Sequence, residues 1–272
     1  MRAEPCEAQQ PGMFDSHCHL DDDAFDADRG EVLARARSAG LTGIVVPGYE
    51  PAEWADLAHF CEQDPLLCCG VGLHPWYVPT LEAGALEAAL QELPASAARA
   101  RAVAIGECGL DGAKARRGGA SMELQKRVLE RHLDVASALA LPVILHCVDA
   151  HGALLELLER RGPLTRGGVM HSYSGPADLI ARYARLGLYF SFAGVVSHEN
   201  AKRPRKALCG VPLSRLLVES DGPDQAAEGA GSRRSEPAHI VRLLDIYANL
   251  RTESRADLGQ ACADNGAALF AR

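Results

Sequence analysis

The chain has 272 residues, a formal net charge of −8, and 47% hydrophobic and 24% charged residues. That length suits one large α/β domain with a sizeable core. The acidic balance argues against tight non-specific binding of duplex nucleic acid, which needs a large basic footprint, and no apolar run reaches the roughly 18 residues of a spanning helix.

Residues 1–12 (MRAEPCEAQQPG) lack the apolar stretch of a signal peptide and are expected to be a disordered tail before a single domain over 13–272. The nine cysteines are odd in number and scattered, with no Cys-x-x-Cys, which predicts reduced thiols in a cytoplasmic protein. Taken in chain order, short apolar runs predict strands at 12–15, 43–46, 67–71, 102–105, 143–146, 168–171, 189–192 and 216–219. Helical patterns fall between them at 29–39, 51–62, 121–140, 152–161, 176–186 and 199–209, and 236–272 reads as two closing helices. Strand–helix alternation predicts a parallel sheet with crossovers. No Gly-x-Gly-x-x-Gly follows the first strand, which counts against a dinucleotide fold. Eight strands with polar groups at their carboxyl ends predict a (β/α)8 TIM barrel, whose active face is built there.

Five of those strand ends carry residues that can hold a divalent metal: His17 and His19, Glu107, His146, His171 and Asp221. On an extended segment, residues two apart point to the same side, so His17 and His19 can face one ion while Cys18 points away. Asp15 is a candidate partner for one of these imidazoles, since ligating histidines usually donate their other nitrogen. A buried carboxylate at Glu107 is costly unless paired or metal-bound, and its two oxygens could bridge two ions. A lone histidine at an apolar strand end is ordinarily a hydrogen-bonded core residue. Two on successive strands, with Glu107 one strand earlier, point instead to shared metal. Asp221, before the sharp exit Gly222-Pro223, could ligate metal and orient or deprotonate an attacking water. Such nitrogen and oxygen donors suit one or two divalent ions that activate water. His74 ends the third strand and is expected to contact substrate.

The remaining chemistry-bearing residues have simpler readings. Cys18, Cys108 and Cys147 each follow a candidate ligand, and strand alternation makes them packing residues. His59, His132, His151, His198 and His239 need no role. Trp54 and Trp76 read as structural, although Trp76 could stack on a base. Basic residues gather after the fourth, seventh and eighth strands: Lys114, Arg116 and Arg117; Lys202, Arg203, Arg205 and Lys206; Arg233 and Arg234. Positive loops over a metal centre suit a short anionic substrate held by its phosphates.

The blocks FDSHCHLDDDAF, GIVVPG, GLHPW, AIGECGLD, LPVILHCVDA, MHSYSG, LLVESDGPD and RSEPAHI, in this order, resemble the TatD family of metal-dependent deoxyribonucleases within the amidohydrolase-like barrels. The resemblance implies two divalent ions, magnesium, manganese or zinc. One would be held by His17, His19, Glu107 and Asp221, the other by Glu107, His146 and His171. It also implies hydrolysis of phosphodiesters in DNA, of a 3′-5′ exonuclease type, and supports a substrate role for His74. Arg116, Arg117 and Arg234 are the other expected substrate contacts. The chain departs from the family pattern at Gly112-Ala113-Lys114, Val148, Asp224 and Ser235. Every candidate metal ligand is kept while groups expected near the substrate differ, so the departures bear on substrate more than on metal. The alternative activity for such a barrel is hydrolysis of an amide or carboxylic ester, for example deacylation of an aminoacyl-nucleic acid. A non-enzymatic assembly role sits poorly with a complete ligand set.

Overall fold

In the computed structural model, which describes residues 12–271, seven strands form one parallel sheet in sequence order. They are β1 (Met13–Asp15), β2 (Leu41–Val46), β3 (Leu67–Val71), β4 (Ala104–Asp111), β5 (Val143–Val148), β6 (Gly168–Met170) and β7 (Leu188–Phe190). The eighth expected strand, 216–219, pairs with β7 through a single bridge, Phe190 to Leu216. The segment still closes the circle. Leu217 N donates to Phe190 O at 2.9 Å on one side, and Ser16 N donates to Val218 O at 3.1 Å on the other. The expected barrel is therefore present, with its seam made by short backbone contacts instead of a regular ladder. The tail expected over 1–12 lies, apart from Gly12, outside the described residues.

Helices cover the outer face: α1 (Arg29–Ser38), α2 (Trp54–Glu62), α3 (Ala83–Arg99), α4 (Gly112–Arg116), α5 (Met122–Leu139), α6 (His151–Arg161), α7 (Ile180–Arg185), α8 (Lys202–Gly210), α9 (Ile240–Leu250) and α10 (Arg255–Leu269). The sequence expectations miss α3, whose alanine-rich pattern contains Pro94. A proline in a helix interior removes a hydrogen bond and crowds the preceding turn, so it reads as a breaker. Packing against the core through Leu86, Leu90 and Leu93 overrides that local signal. Helix α5 is closed at both ends: Ser121 Oγ accepts from Leu124 N, and Ala140 ends the helix in the left-handed region.

The strands alternate between two apolar layers. Val143, Leu145, Met170, Leu216 and Val218 pack outward under the helices. Val45, Ile144, Val169 and Leu217 pack together inside the barrel, with Phe14, Leu269 and Phe270. The Phe270 ring stacks on Phe14 at 5.6 Å, so the end of α10 plugs the amino-terminal mouth. Counting by two from Ile144, Val169 and Leu217 reaches His146, His171 and Glu219. The polar layer of the interior thus sits directly above the apolar one.

Strand β4 is longer than the expected 102–105. Its pairing with β5 shifts register between Ile105 and Cys108, then continues to Asp111 opposite Val148. Glu107 therefore lies inside a strand, at a bulge, not at a strand end. Gly106 has φ 146°, and a Cβ there would meet Ile144 O at 2.6 Å, so this bend admits only glycine.

His132, which had no expected role, fixes the exit of β3. Its Nε2 accepts from Leu73 N at 2.9 Å, and its Nδ1 faces Val128 O at 2.8 Å. Burial holds its pKa down at about 4. A folded-state pKa below the ordinary value gives stability that is present above about pH 6.5 and lost as pH falls toward 4. His132→Leu should cost about 1–3 kcal/mol at pH 8, by orphaning the Leu73 amide. Because the variant has no imidazole to protonate, its deficit should narrow by roughly 1–2 kcal/mol at pH 5. Urea unfolding of the metal-free proteins at both pH values measures this, and a pH-independent deficit would refute it.

Candidate metal centre

The six expected metal ligands converge in the polar layer, and all are buried. Glu107 is at the centre, with its two oxygens facing different groups. Oε2 lies 3.2 Å from His17 Nε2 and 3.7 Å from His19 Nε2. Oε1 lies 2.8 Å from His171 Nε2, 3.0 Å from His146 Nδ1 and 3.2 Å from His74 Nε2. His17 and His19 do point to one side, with their Nε2 atoms 3.0 Å apart. Asp221 Oδ1 stands 3.7 Å from His17 Nε2, and Gln225 Nε2 donates to the other Asp221 oxygen. Cys18 and Cys108 turn away into the outer apolar core, as alternation predicts.

His17, His19 and Asp221 form one group whose donor atoms lie close enough to share an ion, and His74, Glu107 and His146 form another. His74 thus stands among the possible ligands as well as at its expected substrate position. A third such group, His17, His171 and Glu219, brings in a residue that the sequence reading passed over. Glu219 is fully buried and accepts from Ser172 N at 2.6 Å and from Ser191 Oγ at 2.5 Å. Counting by two from Leu217 would have placed it inside the barrel. Asp111 is a second omission. Its Oδ2 lies 3.3 Å from His146 Nε2 and accepts from Trp76 Nε1 at 2.7 Å. It therefore orients the imidazole whose Nδ1 faces Glu107.

Asp15 takes a different part from the one expected. Its carboxylate accepts from the backbone N–H of His17 and Ser220 and from Ser220 Oγ, so it ties two strand ends together and leaves the imidazoles alone. Burial pushes its pKa up to about 7. The expected substrate arginines lie on the periphery. Arg116 pairs with Asp149 at 2.6 Å, and Arg117 is exposed at the end of α4. Both Arg234 guanidinium nitrogens bind Asp28 at 2.7 Å, and the group lies over the Phe25 ring. That ion pair accounts for its position.

Burial alone would push the Glu107 carboxyl up, but His171, His74 and His17 outweigh it and hold the group well below the usual carboxylate range. Burial would lower His171, but Glu107 raises it to about 10. Burial dominates for His74, holding it at about 4. The donor set fits a divalent cation. Glu107 Oε2 is buried without a hydrogen-bond partner, so the cluster is incompletely satisfied by the protein. Nitrogen and carboxylate donors in this number suit a divalent metal ion.

A parallel barrel with such a cluster at the carboxyl ends of its strands defines a hydrolase of the metal-dependent TIM-barrel class. A family model described as TatD related DNase matches residues 14–271. YjjV of Escherichia coli (strain K12), named an uncharacterized metal-dependent hydrolase, is 32% identical over 258 residues, covering 95% of this chain and 97% of the relative. Its crystal structure matches with a TM-score of 0.85 over 95% of this chain and 97% of that one. TatD of Cronobacter sakazakii, named a 3′-5′ ssDNA/RNA exonuclease, is 34% identical over 263 residues, with 95% and 97% of the two chains covered. The chain belongs to the TatD-related DNase family and is a metal-dependent hydrolase. No helix among the described residues is long and apolar enough to cross a membrane.

Removing the central charge while keeping its shape tests the cluster. Glu107→Gln should weaken binding of Mn²⁺ or Zn²⁺ by at least about 100-fold, as loss of a ligand exceeds the usual cost of losing an outer partner. A proton on His171 competes with the ion, so wild-type affinity should rise with pH from about 6 toward 10, with proton release on binding. Calorimetric titration in buffers of different ionisation enthalpy measures both, and an unchanged affinity in the variant would overturn the assignment.

Proposed function

We propose that the chain hydrolyses phosphodiester bonds in single-stranded nucleic acid, removing nucleotides from a 3′ end, with two divalent ions. One observation carries this reading: the two Glu107 oxygens face separate sets of imidazoles. A carboxylate so placed suits a bridge. His17, His19, Glu107 and Asp221 would hold one ion, and Glu107, His146 and His171 the other. Ions bound there would lower the pKa of water and neutralise charge on the phosphoryl group. The names of the relatives favour a phosphodiester over the acyl alternative.

The protein's own groups supply the rest. Asp221, at the rim of the first group, orients the attacking water and accepts its proton, while Gln225 fixes the carboxylate. His74 Nδ1 accepts from Trp76 N at 3.2 Å, which places the proton on Nε2. With a pKa near 4 it stays neutral at pH 7; that N–H faces Glu107 Oε1 at 3.2 Å and would be released to a phosphoryl oxygen if ions took up the Glu107 oxygens. Burial of the cluster strengthens each of these contacts. Lys114 and Arg117 stand on or beside the short α4 next to Asp111 and draw in the anionic chain, whereas Arg116 is held by Asp149.

Cleavage of an end-labelled single-stranded DNA oligonucleotide tests this, using protein loaded with magnesium, manganese or zinc. The wild type should give a ladder receding from the 3′ end. Glu107→Ala should lose at least about 10²–10³-fold in kcat/KM, the scale of one strong transition-state contact. No cleavage with any of the three ions, or wild-type turnover in the variant, would refute the proposal.

A further inference from the structure

Two large apolar side chains are exposed among the described residues: Leu139 at 37% and Trp76 at 44%. Trp76 stands at the edge of the metal centre. Its ring centroid is 5.1 Å from that of His74 and 6.2 Å from that of His146, edge-on to both. Its one polar atom points inward, donating to Asp111 Oδ2 at 2.7 Å. The indole is therefore anchored by its polar edge and leaves apolar surface in water.

Lys114 completes the arrangement. Asp111 caps α4 by accepting from Lys114 N at 2.7 Å, and Lys114 Nζ lies 4.4 Å from the Trp76 ring centroid. One buried carboxylate thus holds the Trp76 indole, the backbone of Lys114 and the His146 imidazole. A cation resting on an exposed indole contributes only about 0.5–1 kcal/mol to stability, a modest return for a rigid exposed aromatic. An indole with a cation resting over it, next to phosphodiester chemistry, offers both groups a nucleotide needs once the two separate: a face for the base and an ammonium for the phosphate.

We propose that Trp76 and Lys114 form a base-stacking subsite, in which an unpaired nucleobase of the substrate displaces the Lys114 ammonium from the indole face and the freed ammonium pairs with a neighbouring phosphate. The inference rests on the nuclease reading and deepens it. It makes single-strandedness a requirement of the rim, because a base within a duplex has no free face to offer. It also predicts tolerance of base identity, since every base has a face to stack.

The test contrasts an oligothymidylate with the same strand carrying abasic tetrahydrofuran residues at its 3′ end, both cleaved by metal-loaded protein. Wild type should favour the base-bearing strand by about 5–100-fold in kcat/KM, the range expected for one aromatic stack. Trp76→Ala should collapse that preference. Trp76→Phe, which keeps an aromatic face but loses the bond to Asp111, should restore most of it. Lys114→Ala should raise KM and flatten the dependence of KM on salt. An equal loss on both strands in Trp76→Ala would assign the indole to positioning Asp111 and overturn the subsite.

Binding is read separately by tryptophan fluorescence with a hydrolysis-resistant phosphorothioate oligothymidylate. The chain has two tryptophans, and the other, Trp54, is 4% exposed with its N–H bound to Gly72 O. Saturable quenching that is absent in Trp76→Phe and with the abasic strand supports the subsite. No quenching in the wild type overturns it. Failure of the wild type to cleave either strand strikes the nuclease reading, and the quenching result still decides the subsite.

Discussion

A carboxylate that is 1% exposed governs the upper half of this barrel. Removing the charge of Glu107 from water is tolerated only if opposite charge or strong donors surround it. Imidazoles from four other parts of the chain do so: His17 after β1, His74 after β3, His146 on β5 and His171 after β6. The same convergence that stabilises the carboxylate produces a metal centre. Cluster and barrel closure also depend on each other, since Asp15 ties the exit of β1 to Ser220 beside Asp221.

The barrel interior is layered by a simple rule. Strand residues alternate in direction, so an apolar inward position is followed two residues later by another inward position. Below lie Ile144, Val169 and Leu217, with the amino-terminal mouth plugged by Phe270 on Phe14. Above lie His146, His171 and Glu219. The carboxyl-terminal mouth is left for substrate to enter, and Trp76, Lys114 and Tyr49 belong to that mouth. The Tyr49 ring lies 4.3 Å from His19 and 4.8 Å from His74.

Outside the centre, charge is used locally. Arg234, Asp28, Arg35 and Glu236 form a linked set of ion pairs that joins α1 to the loop before α9. Arg116 and Asp149 make a comparable exposed pair between the β4 and β5 exits. Positive residues in a loop therefore do not by themselves mark a path for substrate. Their carboxylate neighbours decide whether the charge is available.

The sequence by itself determined the strands and their order, because short apolar runs and their polar ends are local features. It also determined the six metal-binding candidates, since histidine and carboxylate at the ends of apolar strands are costly without a partner. Other features only the tertiary structure decided. The length of β4 depends on β5, whose pairing carries the strand past the bulge to Asp111. The seam at 216–219 depends on the contacts of Leu217 with β7 and of Val218 with the exit of β1. Helix α3 forms against its local signal because the core buries its leucines. Asp111, Glu219 and the pairing of Trp76 with Lys114 acquire their places from residues distant in sequence. Hydrophobic period and residue type are written along the chain, whereas the sharing of one charge among imidazoles from four other segments exists only once the barrel has closed.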